Sequence, residues 1–368
     1  MKMKKIIRTI LAVVMVMCML AACGGNKASS SGSTASADGP TIGVIIWSTD
    51  DGLGADAKTA LDTVAADLGV NLIYRTGSFD ADSQTTDIEN LISAGAEGIL
   101  ICPIVDASND EYLKTCEDAD IPMQLMFRNI VDQDAYDYCM ASDQFAGYVS
   151  EDEQSAAVAM VDKLLEEGCT TFGLVDRESG NAVIDRRQTG YKEYLDEKNI
   201  TYYETITTNT ATATEMVDAT DQLLAANPDI DGIILSSGSN GAIDAIITDL
   251  EGKDIKLTSF DTPADIKAGF EGGNLCMLTT GAQIDPVYAM INLYNKMNDA
   301  PKADTPTELD SNYIYMTSVE DAQNYEKCFS EFNTYTADEV KELVDMDLDA
   351  FKTEMKNYSL EMVSEKMK

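Results

Sequence analysis

Arginine is scarce in this chain, and most of it falls where strand-like segments end. After residue 22 there are five arginines, and four of them follow apolar, strand-like runs: Arg128, Arg177, Arg186 and Arg187. A planar guanidinium donates paired hydrogen bonds to carboxylate and phosphate oxygens. Because the formal net charge of the whole chain is −38, this placement indicates a site for an anionic group. For Arg177 and Arg186, surface ion pairs with Glu178 and Asp185 are the alternative.

The chain contains no histidine. This excludes serine and cysteine nucleophiles that a histidine activates, zinc sites of the HExxH type and phosphohistidine relays. Carboxylate-pair hydrolysis stays open. The acidic loop with Asp132, Asp134 and Asp137 lacks the glycine and terminal glutamate of a calcium loop, so we expect no metal and no cofactor. Six cysteines follow residue 23, none in CxxC spacing, and spacing alone does not decide whether they form disulfides.

The elements that position these side chains alternate between strand and helix. Thr41–Trp47 has the apolar composition of a buried strand, and Leu53–Leu68 carries apolar residues at helical spacing before Gly69. The alternation continues to Phe127 and restarts from Ser155 to Phe260. Apolar strands separated by helices predict parallel sheets covered on both faces, here two doubly wound α/β lobes. In such sheets ligands bind beyond the carboxyl ends of the strands, where the four arginines lie.

The first forty residues read as an export signal and a tether. A basic start precedes the apolar run Ile10–Leu20, which is too short for a permanent membrane span. The segment Leu20–Gly24 resembles the bacterial lipobox, in which the cysteine, here Cys23, is lipidated. A Gly/Ser/Ala-rich linker follows, up to residue 40. We therefore expect a signal peptide over 1–22 and a lipid-anchored linker over 23–40. The protein would then lie on the extracytoplasmic face of the cell membrane. The excess of acidic residues argues against nucleic-acid binding.

Six short motifs occur in a familiar order: Ile42–Leu53, Asp120–Met123, Ala141–Asp143, Arg187–Tyr191, Asn227–Ile234 and Ser259–Pro263. Together they resemble the sugar-type periplasmic binding proteins of ABC importers, the group with the ribose- and glucose/galactose-binding proteins. The resemblance covers roughly residues 41–316. It implies the type I periplasmic binding protein fold, a monomeric clamp whose two lobes are joined by a three-segment hinge.

The resemblance also implies lobe boundaries. The N-terminal lobe would comprise 41–143 and 283–309, and the C-terminal lobe 144–282 and 310–332. The hinge would lie near Asp143, Ala282–Gln283 and Asp310–Ser311. Residues 333–368 would form a helical extension that the family does not require.

Site residues follow from the same resemblance. Trp47 matches an aromatic position of the relatives, Asp51 and Asp261 match ligand-binding carboxylates, and Arg187 matches an arginine that binds ring hydroxyls. We expect Arg187 to project into the cleft near Asp261 and to contribute little to the core. Helix capping is the alternative role for Asp51 and Asp261. Where the chain departs from the family pattern, the loops supply four further candidates: Arg128, Ser237, Asn240 and Gln283.

The leading hypothesis is a non-enzymatic solute-binding protein. It would capture a small polar ligand, a sugar or sugar derivative including anionic ones, and deliver it to an ABC permease. Three alternatives remain at this point. The protein could be a sensing partner of a membrane receptor kinase, or it could bind a nucleoside- or autoinducer-type ligand. It could also be a glycosidase that uses Asp51 and Asp261.

Overall fold

The computed structural model describes residues 39–50, 52–208, 211–238, 241–298, 300, 306–329 and 334–366. Five sequence predictions lie wholly or largely outside these residues: the signal peptide, the linker over 23–40, lipidation at Cys23, and ligand contacts by Asp51 and Asn240. None of the helices within the described ranges is both long and apolar enough to span a bilayer.

Within the described ranges, twelve strands form two six-stranded sheets. In chain order the strands are β1 Thr41–Ile46, β2 Asn71–Thr76, β3 Gly98–Ile101, β4 Met123–Met126, β5 Phe145–Glu151, β6 Thr171–Arg177, β7 Thr201–Thr207, β8 Gly232–Leu235, β9 Lys256–Phe260, β10 Leu275–Thr280, β11 Thr307–Ser311 and β12 Ile314–Met316. The first sheet has the order β11-β5-β4-β3-β1-β2 and is entirely parallel. The second has the order β12-β10-β9-β8-β6-β7, and only β12 runs antiparallel to its neighbour.

Fourteen α-helices lie within the described residues. They are α1 Gly52–Leu68, α2 Ala81–Ser93, α3 Asn109–Glu117, α4 Gln133–Met140, α5 Glu153–Glu166, α6 Ala182–Lys198, α7 Ala213–Ala226, α8 Ala242–Leu250, α9 Ile266–Glu271, α10 Asp285–Met297, α11 Val319–Phe329, α12 Ala337–Asp345, α13 Leu348–Asn357 and α14 Leu360–Lys366. Short 3-10 turns occupy Asp106–Ser108 and Ala282–Ile284. The predicted fold class of two doubly wound α/β lobes is confirmed.

The first βαβ unit shows how the sequence produces these layers. Ile42 to Ile46 in β1 are buried on both faces of the sheet. Helix α1 buries Ala57, Leu61 and Val64 at helical spacing against that sheet. It ends at Leu68 and is followed by Gly69, whose φ of +70° is the left-handed conformation that glycine adopts readily. The turn then leads directly into β2, so that the next strand lies parallel to the first.

The chain passes between the lobes three times. The passages are Asp152 between β5 and α5, the turn 281–284 between β10 and α10, and the pair 312–313 between β11 and β12. This corrects the predicted first hinge segment. Asp143 is exposed in the turn before β5, and β5 pairs with β4 and β11 in the first sheet. The first lobe therefore continues to Glu151, where a second Ser-acid motif, Ser150–Asp152, marks the actual passage.

The C-terminal extension belongs to the folded unit. Helix α12 starts with a capping box formed by Thr336 and Glu339. The side chains of Val340, Phe351 and Met355 are fully buried in the main hydrophobic core. Helix α12 packs on α1 and α10 of the first lobe, whereas α14 packs on α11, which in turn packs on α9 of the second lobe. The extension thus contacts both sides of the hinge.

Candidate functional site

The two lobes meet at the carboxyl ends of their parallel strands. Arg186, from α6 of the second lobe, donates through Nη1 to Asn129 Oδ1 in the loop after β4, at 2.9 Å. Its Nη2 donates to the carbonyl oxygen of Glu151 at 3.1 Å. Arg186 does not pair with Asp185, so among the described residues the surface ion pair considered for it is absent. These contacts place the cleft where open α/β sheets bind ligands.

The first-lobe wall combines an aromatic pair with a cation. Trp47 follows β1 and is half-buried, and its ring meets that of Phe127 edge-on, with 5.2 Å between centroids. Phe127 has a φ of +63°, an uncommon conformation for a non-glycine residue that occurs at ligand-binding sites. Arg128 donates through Nη1 to the Phe127 carbonyl at 2.8 Å, and no described carboxylate lies within ion-pair distance of it. Its other N–H groups are therefore available to a ligand.

The second-lobe wall is built around Asp261. This residue also adopts a left-handed conformation, with a φ of +68°, directly after β9. Its Oδ2 accepts hydrogen bonds from the backbone N–H of Gly238 at 3.0 Å and from Ser237 Oγ at 3.3 Å. The following helix, α9, is capped by Asp265 instead, so the capping role considered for Asp261 does not apply to that helix. The carboxylate ties the loops after β8 and β9 together at the cleft.

Gly238 is required by this packing. A Cβ atom on Gly238 would lie 2.2 Å from Ile243 Cδ1 and 2.7 Å from the carbonyl oxygen of Phe260. Any side chain there would push the loop away from β9 and break its hydrogen bond to Asp261.

Arg187 does not face water, contrary to the sequence expectation. The residue is 8% exposed, and its Nε lies 2.7 Å from Glu153 Oε2. The Nη atoms donate to the Ser236 carbonyl at 3.1 Å and to the Tyr313 hydroxyl at 2.8 Å. The guanidinium also lies over the ring of Phe260, 3.7 Å from its centroid. Arg187 therefore joins Glu153, Ser236 and Tyr313 in the buried layer next to the cleft. A ligand contact by Arg187 stays a prediction.

Two other predicted cleft residues are also buried. Arg177 is 2% exposed and donates to the Thr208 carbonyl at 3.0 Å, and burial lowers the pKa of its guanidinium. Gln283 is 2% exposed, and its Nε2 donates to the Tyr325 hydroxyl at 3.0 Å. The structure thus groups Trp47 and Arg128 on one wall with Ser237 and Asp261 on the other.

Sequence reasoning missed Phe127 and Asn129 as cleft residues, whereas Arg186 was among the four arginines expected at the ends of the strands. From the segment Phe127–Asn129, which departs from the family pattern, only Arg128 was named as a site candidate. An aromatic, a cation and an amide directly after a buried strand were the signal that could have identified this wall.

The described cysteines pack within the hydrophobic clusters of the two lobes. All six are buried free thiols, and burial raises the pKa of Cys116, Cys139, Cys169 and Cys276 to about 12. No cluster of potential metal ligands is found in the part of the chain that the structure describes. Asp132 of the acidic loop caps α4 by accepting from the N–H of Ala135 at 3.0 Å.

The family of this chain follows from a direct comparison. A family model described as "Periplasmic binding protein domain" matches residues 42–300, which is more than half of the chain. The chain belongs to this family. Its homologues are solute-binding proteins, which are transport components without enzymatic activity, so the prediction of a non-enzymatic protein is confirmed.

One curated relative and two crystal structures illustrate the similarity. The ribose import binding protein of Bacillus subtilis (strain 168) is 25% identical over 239 residues, 64% of this chain and 74% of the relative. An ABC transporter solute-binding protein from Actinobacillus succinogenes 130z, solved with bound D-allose, superposes with a TM-score of 0.66 at 16% identity, covering 78% of this chain and 100% of the other. One from Bacillus halodurans C-125 with bound myo-inositol gives 0.63 at 20% identity, covering 78% and 97%. At these identities the two structures show the fold alone.

Proposed function

We propose that this periplasmic binding protein is a lipid-anchored receptor that captures a sugar or sugar derivative and presents it to an ABC permease. The ligand would bind the closed clamp better than the open one and so shift the equilibrium between them. The permease would then recognise the closed form.

The observation that carries the proposal is the pairing of two chemically different walls. Trp47, whose ring the buried Phe127 contacts edge-on, offers aromatic surface to the C–H face of a sugar ring. Arg128 beside them offers N–H donors to hydroxyl or carboxylate oxygens. Across the cleft, Asp261 accepts through Oδ2 only, and its Oδ1 receives no hydrogen bond from a described residue. That oxygen can accept from a ligand hydroxyl.

The names of the relatives point to the same ligand class. Ribose, D-allose and myo-inositol, which appear in the names of the three proteins above, are all small polyhydroxylated molecules. The second arginine at the cleft, Arg186, extends the proposal to anionic derivatives such as sugar acids.

The anchor rests on the sequence around Cys23. Small residues precede this cysteine, an apolar run lies upstream of it, and a flexible tract follows. Metabolic labelling with a fatty-acid analogue tests this proposal. Wild type should be labelled and Cys23→Ser should not, whereas equal labelling of both would refute lipidation at Cys23.

Native mass spectrometry of the protein purified from its own organism tests the ligand class. We expect a single co-purified mass that corresponds to a sugar, a polyol or a sugar acid. A bound nucleoside or peptide would contradict the proposal.

A matched pair of arginine variants then tests whether Arg128 binds the ligand. Arg128→Ala should weaken binding of the identified ligand about 5- to 150-fold, which corresponds to leaving a buried polar group unpaired at about 1–3 kcal/mol. Arg75→Ala is the control. Arg75 also belongs to the first lobe, but its guanidinium faces a carboxylate of its own lobe, with Nε 3.9 Å from Asp87 Oδ1. Binding by Arg128→Ala within about twofold of the control would remove Arg128 from the site.

A further inference from the structure

Three buried carboxyl groups meet where the chain passes between the lobes. Glu151, Glu153 and Asp285 are 2%, 1% and 0% exposed. Glu151 ends β5 and Glu153 begins α5, on either side of the first passage, while Asp285 begins α10 directly after the second. Acidic side chains are almost never fully buried unless they are paired. Each of the three therefore requires a partner.

Only one of these carboxylates has a cation. Glu153 pairs with Arg187 and accepts from the Tyr313 hydroxyl at 2.9 and 3.0 Å. Among the described residues, no lysine or arginine lies within ion-pair distance of Glu151 or Asp285. Glu151 and Asp285 are therefore the two carboxyl groups of this trio whose negative charge has no cation beside it.

Glu151 is the register partner of Ser311 in the pairing of β5 with β11. The Ser311 hydroxyl, at the end of β11 before the third passage, donates to Asp285 Oδ1. Ser311 therefore brings the two carboxyl groups into one buried cluster, in which Asp285 raises the pKa of Glu151. Glu151 Oε1 and Asp285 Oδ2 are buried and have no hydrogen-bond partner among the described residues. One proton held between the two carboxyl groups would satisfy both, because a protonated carboxyl donates and an ionised one accepts.

The surrounding charged groups do not remove the need for a proton between Glu151 and Asp285. Burial raises the pKa of both groups, and for Asp285 to about 7. Glu153 raises both pKa values further, while Arg187 opposes the rise at Glu151 and Arg128 opposes it at Asp285. The remaining titratable groups that interact with the pair are neutral: Tyr288, Tyr313, Tyr358 and Cys102. The guanidinium of Arg186 reaches only the backbone oxygen of Glu151.

We propose that Glu151, Asp285 and Ser311 form a proton-dependent positioning cluster that holds the three interlobe passages together. Each passage contributes one member. With one shared proton the three segments are hydrogen-bonded to one another. With both carboxyls ionised, two like charges face each other in a buried site and push the first and second passages apart.

The direction of the pH effect follows from the raised pKa values. The arrangement that binds the extra proton is favoured below the raised pKa and is lost as the pH rises through it. The lobes, which Arg186 and Asn129 join in this structure, should therefore separate at alkaline pH even without ligand. This inference is related to the proposed function only because both involve closure of the two lobes. Its test needs no ligand.

Small-angle scattering of the ligand-free mature chain, carrying Cys23→Ser for solubility, tests the cluster. The wild-type radius of gyration should increase between about pH 5.5 and about pH 8.5 in one transition. Glu151→Gln should abolish that transition, because its amide donates permanently to Asp285. Asp143→Asn, an exposed carboxyl of the same lobe, is the matched control and should keep the wild-type response.

Two outcomes would overturn the proposal. A wild-type radius of gyration that is constant over this range would refute it, as would an unchanged transition in Glu151→Gln. Asp285→Asn provides an independent variant if Glu151→Gln does not fold, as judged by circular dichroism. Failure of this test leaves ligand capture untouched, since no ligand is present.

Discussion

Replacing Arg187 by methionine should destabilise the fold strongly. Methionine keeps much of the apolar stem but removes the cation that faces Glu153, a side chain that is 1% exposed. It also removes the donors to the Ser236 carbonyl and the Tyr313 hydroxyl. Glu153 would then remain buried, and Tyr313 would be its one hydrogen-bond donor among the residues that the structure describes.

The magnitude follows from the burial of the pair. Breaking a buried ion pair by removing one partner costs about 3–5 kcal/mol, because the remaining charge is left uncompensated. An exposed pair contributes only about 0–1 kcal/mol. Arg75→Met, which affects a pair at 3.9 Å with a 39% exposed arginine side chain, should therefore cost at most about 1 kcal/mol.

Urea unfolding followed by far-UV circular dichroism measures both variants. We expect Arg187→Met to lower the free energy of unfolding by about 3 kcal/mol or more. Adding Glu153→Gln should restore part of the loss, since a neutral amide does not need a cation. A loss below about 1 kcal/mol for Arg187→Met would refute the structural role assigned to this residue.

Three further variants or measurements probe other parts of the structure. Arg186→Ala should open the ligand-free lobes, which scattering would detect as a larger radius of gyration. Asn129→Ala should have the same effect, and the double variant should show no further increase. Additive increases would mean that the two side chains are not coupled. Phe351→Ala should lower the free energy of unfolding by about 3–5 kcal/mol, because its ring is fully buried; a loss under about 1 kcal/mol would mean that the extension folds separately. The six described cysteines should react with a thiol reagent only after denaturation, since all are buried and free; fast labelling of the native protein, or fewer than six thiols after denaturation, would contradict this.

The fold could be predicted from the sequence because its signal is repeated along the chain. Strand-helix alternation with continuous apolar strands indicates a parallel sheet wherever it occurs. That pattern also locates the loops at the carboxyl ends of the strands. Arg128, Ser237 and Asp261 were therefore assigned to such loops, and Trp47 to the end of the first strand, without any knowledge of tertiary contacts.

The roles of Arg186 and Arg187 could not be separated from sequence. Neighbouring residues on a helix point about 100° apart, since a turn contains about 3.6 residues. Which of the two faces the cleft depends on how α6 docks, and that docking is fixed by Glu153, Tyr313 and Phe260. The family motif pointed to Arg187, whereas the side chain that crosses between the lobes belongs to Arg186.

The first hinge segment was misplaced for a different reason. Two Ser-acid motifs occur close together, at Ser142–Asp143 and Ser150–Asp152. Local sequence does not say which of them ends the last strand of the first lobe. The pairing of β5 with both β4 and β11 decides it, and the partner β11 lies far away in the chain.

The central claim is that the cleft binds a small polyhydroxylated molecule. Isothermal titration calorimetry of the mature protein against a panel of pentoses, hexoses, polyols and sugar acids tests it most directly. We predict that at least one member binds with one molecule per chain and a Kd of about 1 μM or tighter, equivalent to about −8 kcal/mol. If every member of the panel binds more weakly than about 1 mM, the assignment of this protein as a sugar receptor is contradicted.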